Sequence, residues 1–417
     1  MRLHRELRRN HNETMTPLHD IRVLDLSTVV AGPYGAEMLG ELGADVIRIE
    51  PVAAAAAPAP TPHAPISEAE GFHWALQRNK RAICIDLKHA EGLALFLDLV
   101  RESDVVWENF RPGVTARLGI DYPRLRSVNA GIIMCSISGF GGEGPWSRVG
   151  AYDITVQALS GVMSITGSGA PDAEPCRWGV PIGDIAGSLY GVTGVLAALE
   201  ERARTGMGQQ VDIALLDAQL ALNSYRVPQV FGANMAFAPA SPRRGGAGTV
   251  PYGPFRCGDG EWLSLAPTSN FWRAFCGVIG QPELADDARF RTIADRQHNQ
   301  AVLDNLLETA MSAHPAAEWE ALFIAAKIPV GRVLDIPGAF AHPQAQARGM
   351  RVELTDRSGR HAPAAGSPLR FEGEPTRVQN PPSWSGLDTR DVLADVLNMT
   401  PRRIADLQAR GVIGVRT

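Results

Sequence analysis

Lysine is scarce in this sequence: Lys80, Lys88 and Lys327 are the only three among 417 residues. None follows a glycine, so the phosphate-cradling P-loop is absent. Cysteine is scarce as well. Cys84, Cys135, Cys176, Cys257 and Cys276 form no Cys-x-x-Cys, and no two histidines stand four apart. No structural metal site is expected, and the odd, scattered cysteines fit a cytoplasmic location better than a disulfide framework. Basic charge is not in surplus, since 40 Lys and Arg face 45 Asp and Glu for a net of −5. That balance excludes a nucleic-acid protein by bulk electrostatics. No G-x-S-x-G appears, so a serine-hydrolase elbow is excluded. The apolar stretch 185–199 carries three glycines in 15 residues and is too short for a bilayer, so no membrane role is expected. Residues 1–14 are basic but hold Glu6, Glu13 and no apolar run, which excludes a secretory signal.

What is present is an ordinary globular composition, 45% hydrophobic and 20% charged, at a length of more than one domain. β-branched runs at 21–26, 45–50, 82–86, 104–108 and 132–136 alternate with stretches of helical spacing at 32–42 and 91–101. Alternation of this kind predicts crossover connections and a parallel sheet. The tract 52–65 contains four prolines and is expected as an exposed loop. A long apolar helix is expected from Asp184 to about Arg204, stopped by Gly206 and Gly208. Gly258-Asp259-Gly260, between strand-like runs at 253–256 and 262–266, reads as a hairpin turn.

Four local patterns could carry chemistry. Gly139-Phe140-Gly141-Gly142-Glu143-Gly144 matches the dinucleotide fingerprint by letter, but Pro145 and Trp146 follow where a helix should open, so a plain turn is expected. Asp184 lies in Pro181-Ile182-Gly183-Asp184 at a helix start. It reads either as the N-cap or as a carboxylate nucleophile with glycines admitting a substrate. Asn109-Phe110-Arg111-Pro112-Gly113 follows a strand at its carboxyl end, where open sheets bind ligands. Arg111 and Arg117 there would either grip phosphates or form a solvated loop. Asn79-Lys80-Arg81 adds positive charge before another strand.

Several stretches together resemble one family. They are Val29-Val30-Ala31-Gly32-Pro33, Leu42-Gly43-Ala44-Asp45-Val46-Ile47, Asn79-Lys80-Arg81, Glu108 to Gly113 and Ser136-Ile137-Ser138-Gly139-Phe140-Gly141. Tyr152-Asp153-x-x-x-Gln157-Ala158-x-Ser160-Gly161, Gly183-Asp184 and Thr205-Gly206-x-Gly208-Gln209-x-Val211-Asp212 follow in order. The pattern is similar to the family III coenzyme A transferases and the related α-methylacyl-CoA racemases, densely over 18–225 and loosely beyond.

The resemblance implies an open Rossmann-like large domain over 18–225 and a linker and small α/β domain over 226–345. Residues 346–417 would return to the large domain, and 1–17 would be a flexible extension. It implies two chains interlocked as a homodimer. Asp184 takes the place of the nucleophile, forming first an acyl anhydride and then a CoA thioester. The CoA contacts fall on Val29, Val30, Asn109, Phe110, Arg111 and Arg117, with Lys80 and Arg81 beside the phosphates. Gly245, Gly246, Ala247 and Gly248 correspond to a glycine-rich lid, with alanine a departure. The Ala/Pro tract after Glu50 is a larger departure, at the CoA edge. No cofactor is implied, because coenzyme A enters as substrate with a carboxylic acid. Arg243, Arg244 and Tyr252 would suit a dicarboxylate. A racemase would need a histidine where Tyr152 stands, and a phenol with a pKa of about 10 is a poor base near neutrality. A nonenzymatic acyl-CoA-binding module would leave Asp184 as a cap only.

Overall fold

Six Val- and Ile-rich runs become parallel strands of a single sheet. The structure is a computed structural model describing residues 16–58, 61–168, 170, 172–233, 249–372, 374–376 and 380–416. The strands are β1 (Arg22–Asp25), β2 (Asp45–Glu50), β3 (Lys80–Ile85), β4 (Val105–Glu108), β5 (Ile133–Ser138) and β6 (Gln210–Ala214). Their spatial order is β3-β2-β1-β4-β5-β6, and a C-terminal strand, Ile413–Gly414, pairs antiparallel with β3 at the edge. The order reverses direction between β1 and β4, which makes the crevice beyond their carboxyl ends the topological switch point.

Both faces of the inner strands β1, β4 and β5 are largely buried, so these read as nearly continuous apolar runs, whereas β6 at the edge alternates exposed Gln210 and Asp212 with apolar Val211 and Ile213. Leu24, Ile47, Val106 and Met134 enter one core, together with Leu95, Phe96 and Leu99. Their neighbours Val23, Val46, Val105 and Ile133 enter the other. One-residue alternation between two cores is the period of a strand.

Helices α1 (Ala31–Glu41), α2 (Glu68–Leu76), α3 (Ala90–Arg101), α4 (Val114–Leu118), α5 (Tyr122–Val128), α6 (Asp153–Leu159), α7 (Ile182–Thr205) and α8 (Leu215–Leu222) connect and cover the strands. Helix α7 is long and apolar enough to cross a membrane by composition, but its glycines press onto neighbouring side chains of the sheet and of α8. A Cβ on Gly187, Gly191 or Gly194 would come within 2.6–2.7 Å of Leu215, Trp107 or Val211. Trp107 is fully buried and donates its indole N–H to Gly32 O at 2.8 Å. Gly206, left-handed at φ 75°, ends the helix as expected.

Internal contacts divide the chain into two units. The first holds the described residues of Met1–Ser160, Val180–Leu222 and Gln344–Thr417. The second holds those of Gly161–Gly179 and Asn223–Pro343. In the second unit β7 (Gly253–Arg256), β8 (Trp262–Leu265) and β9 (Val330–Arg332) form an antiparallel sheet, with Gly258-Asp259-Gly260 turning the first hairpin. Its core contains Phe255, Phe275, Phe290, Trp319 and Phe323.

Two local expectations are corrected. The Ala/Pro tract is not loop throughout: Val52–Ala56, which precedes its prolines, forms a 3-10 turn against the C-terminal edge strand. Strand β3 begins at Lys80 rather than at Ala82, which turns a flanking charge into a buried one.

Candidate active site

The loop after β1 is held from two sides, by Asp25 and by Asn109. Asp25, fully buried, accepts from Ser27 N at 2.9 Å and from the Ser27 hydroxyl. Asn109 accepts from Thr28 N at 2.9 Å and donates to Thr28 O at 2.7 Å. Glu108 accepts from Phe110 N at 2.7 Å, and its burial pushes its pKa up to about 7. Asn109 thus latches the β1 loop to the β4 loop across the switch point. Within the latched segment Val29 is 68% exposed at φ 67°, a conformation β-branched residues avoid. Strain of this sort marks functional loops. Val29→Asn, which tolerates that conformation, is expected to gain about 1 kcal/mol in chemical denaturation.

The four cations expected near the phosphates separate into two kinds. Lys80 Nζ is buried and donates to Asp25 Oδ2 at 2.8 Å, Pro33 O at 2.9 Å and Gln77 Oε1 at 3.2 Å. An ammonium has three protons, so none is left for a phosphate. Arg81 is bidentate to Asp45 at 3.0 and 2.7 Å, at the amino ends of the strands and away from the crevice. The expectation that these two lie beside phosphates is therefore not what their geometry offers. Arg111 and Arg117 are exposed, follow the carboxyl end of β4, and meet no carboxylate among the described residues. Val30 stands at the N-cap of α1 and makes no side-chain cap bond.

Asp184 is not an N-cap. Pro181 holds that position without a side-chain bond, and Asp184 sits in the first turn of α7. The N–H groups of Gly183 and Asp184 donate instead to Asp153 Oδ1, at 2.7 and 3.4 Å, from α6. No donor reaches the Asp184 carboxylate among the described residues. Burial, and secondarily the Asp153 charge, push its pKa from an ordinary 3.8 to about 6.

The sequence suggests a glycine that admits substrate, but the side-chain position at Gly183 is taken by the protein's own groups. A Cβ at Gly183 would lie 2.1 Å from Gln219 Nε2 and 2.8 Å from Asp153 Oδ1, so the glycine makes room for the protein's own polar groups. Ser188 ties this turn to the β1 loop: its hydroxyl lies 2.8 Å from Asp184 O and also contacts Ala31 O, at the start of α1. Asp184 and the latched segment therefore share one hydrogen-bonded frame.

Asp153, Gln157 and Ser188 were not picked out as site residues from sequence. The spacing Asp153-x-x-x-Gln157 was visible, but its partner, Gly183, lies 30 residues away. Tyr152 is exposed at the start of α6. Residues 139–150 are turns and bends, and the next helix opens only at Asp153, well past Gly144, so the dinucleotide fingerprint is a turn, as expected. Gly245, Gly246, Ala247 and Gly248, with Arg243 and Arg244, lie outside the described residues. Among the described residues no group of three His, Cys, Asp or Glu is placed to hold a metal.

Comparison with known proteins shows the family. The family model described as CoA-transferase family III matches residues 18–389. A succinate–glutarate CoA-transferase of Agrobacterium fabrum is 35% identical over 91% of this chain and 96% of its own. An acetyl-CoA:oxalate CoA-transferase of Acetobacter aceti is 36% identical over 81% of this chain and 86% of its own. The crystal structure of a CAIB/BAIF family protein from Brucella suis superposes with a TM-score of 0.78 at 31% identity, covering 91% of this chain and 99% of that one. With that coverage, the chain belongs to the family III CoA-transferases.

Proposed function

We propose that this enzyme moves CoA from an acyl-CoA to a dicarboxylate through covalent intermediates on Asp184. The observation that carries the reading is the Asp184 carboxylate itself, half-buried at a helix start with no donor on it. A carboxylate with a pKa of about 6 is still largely ionised at neutral pH, yet more basic than an ordinary aspartate.

The steps balance without an external proton or redox partner. A carboxylate oxygen of Asp184 attacks the thioester carbonyl, and the C–S bond breaks to give a mixed anhydride and CoA thiolate. The thiolate attacks the aspartyl carbonyl and expels the donor acid, leaving an aspartyl–CoA thioester. The acceptor carboxylate attacks that thioester, and the released thiolate takes the acceptor's acyl group from the second anhydride. No cofactor is required.

In this reading CoA lies at the switch point, against Val29, Val30, Asn109 and Phe110, with Arg111 and Arg117 on its phosphates. Arg111→Ala and Arg117→Ala should each weaken CoA binding several-fold in calorimetry with the fold intact, since a charge-assisted bond contributes roughly 1.5–3 kcal/mol. Equal affinity in both variants would remove them from the site. The dicarboxylate acceptor is inferred from the relatives whose names specify glutarate and oxalate. Leu189, Tyr190 and Leu196 on α7 are exposed apolar residues, and we assign their cover to a second copy in a homodimer.

The test is a panel of acyl-CoA donors against mono- and dicarboxylic acids, followed by product analysis. Transfer is expected with dicarboxylates above monocarboxylates. A 2-methylacyl-CoA in heavy water should exchange no α-proton; rapid exchange without transfer would assign a racemase instead.

A further inference from the structure

Helix α7 is capped from outside itself. A first-turn aspartate ordinarily sits close to the free N–H groups of its own helix, which stabilise its charge. Here those groups at Gly183 and Asp184 are taken by Asp153 Oδ1. The other oxygen, Asp153 Oδ2, accepts from Gln157 Nε2 at 2.6 Å, four residues along α6. Gln157 is fully buried, so the orientation of Asp153 is set from within the protein. Gly183 completes the device, because any side chain there would displace Asp153 or Gln219.

We propose that Asp153 is a positioning residue for CoA transfer: it occupies the N–H groups at the start of α7 and so leaves the Asp184 carboxylate unpartnered. This rests on the reading of Asp184 as nucleophile. A carboxylate bound by its own helix terminus would be a weaker nucleophile, because its charge would already be stabilised. A Ser or Thr at 181 could have capped the helix without charge, but Pro181 stands there. The cap used is itself an anion, whose field opposes ionisation of Asp184.

Other charged groups around the helix start are otherwise engaged. On α1, Glu37 and Glu41 pair with Arg78, and Tyr34 packs near them. On β6, Asp212 accepts from Gly142 N at 2.9 Å. Asp217 on α8 is exposed, β5 carries no ionisable group except buried Cys135, and α7 adds Tyr190, which is exposed. Asp153 is the charge that acts on Asp184.

The test is Asp153→Asn, which keeps an oxygen for Gly183 N and removes the charge. Two readouts are needed. The first is the carboxyl-carbon titration of Asp184 in the ligand-free enzyme by NMR, assigned by its loss in Asp184→Asn. The wild-type midpoint is expected near 6, and the variant's about one unit lower, as when a nearby like charge is removed. The second is the pH profile of single-turnover adduct formation with succinyl-CoA, whose acid limb should move the same way. Its plateau should fall several-fold while the affinity for free CoA is unchanged. Asp153→Ser, a neutral cap of ordinary kind, gives the same comparison where the Asn variant does not fold. An adduct that forms with an unmoved midpoint and profile would make Asp153 a plain helix cap and leave the nucleophile standing. Absence of any adduct on wild-type Asp184 would overturn the nucleophile, and this role with it.

Discussion

Asp184→Asn is expected to reduce CoA transfer by roughly four to six orders of magnitude, the loss that removal of a covalent nucleophile brings. An amide nitrogen or oxygen does not attack a thioester at a comparable rate. Free CoA should bind as before, because no part of the latched β1 and β4 loops is altered. The same variant should be more stable than wild type at alkaline pH. The wild-type carboxyl has its pKa raised from 3.8 to about 6 by burial and by Asp153. Its contribution to stability is therefore full below about pH 4 and is lost as pH rises through 6. The asparagine does not ionise and escapes that loss. After a discount for partial solvent exposure, the gain at pH 8 should be about 1–2 kcal/mol, and none should be seen at pH 4. Paired denaturation curves at the two pH values check the sign. A variant less stable at pH 8 would mean that the carboxylate is stabilised in the fold.

Lys80→Met should cost about 3–5 kcal/mol of stability, because it strands the fully buried Asp25 carboxylate without its cation. The damage should spread to the β1 loop, since Asp25 also holds Ser27. Asp25→Asn combined with Lys80→Met should recover a large part of the loss, as a cycle of contacting residues does. Arg111→Ala, by contrast, should leave the melting temperature nearly unchanged and act on CoA affinity alone. A Lys80→Met protein with wild-type stability and weakened CoA binding would restore Lys80 to the phosphate site.

This contrast shows which parts of the site the sequence could disclose. Strand runs, the glycine stop of α7 and the loop after β4 were legible because each is written in a few adjacent residues. Lys80 was misread because its neighbours, Asn79 and Arg81, gave no sign that β3 had already begun. Its partners Asp25 and Pro33 lie 55 and 47 residues away. Asp184 looked like a cap for a similar reason. Helix caps are ordinarily local, and the group that caps α7 belongs to another helix. The glycine beside Asp184 looked permissive for substrate, yet Gly183 faces the side chains of Gln219 and Asp153, which only the packed structure reveals.

The covalent role of Asp184 is tested most directly by mass spectrometry of the enzyme incubated with succinyl-CoA and then treated with hydroxylamine. The account predicts a hydroxamate on the peptide containing Asp184, dependent on the acyl-CoA and missing in Asp184→Asn. Steady transfer of CoA to a dicarboxylate with that peptide unmodified, and with Asp184→Asn still active, would contradict it.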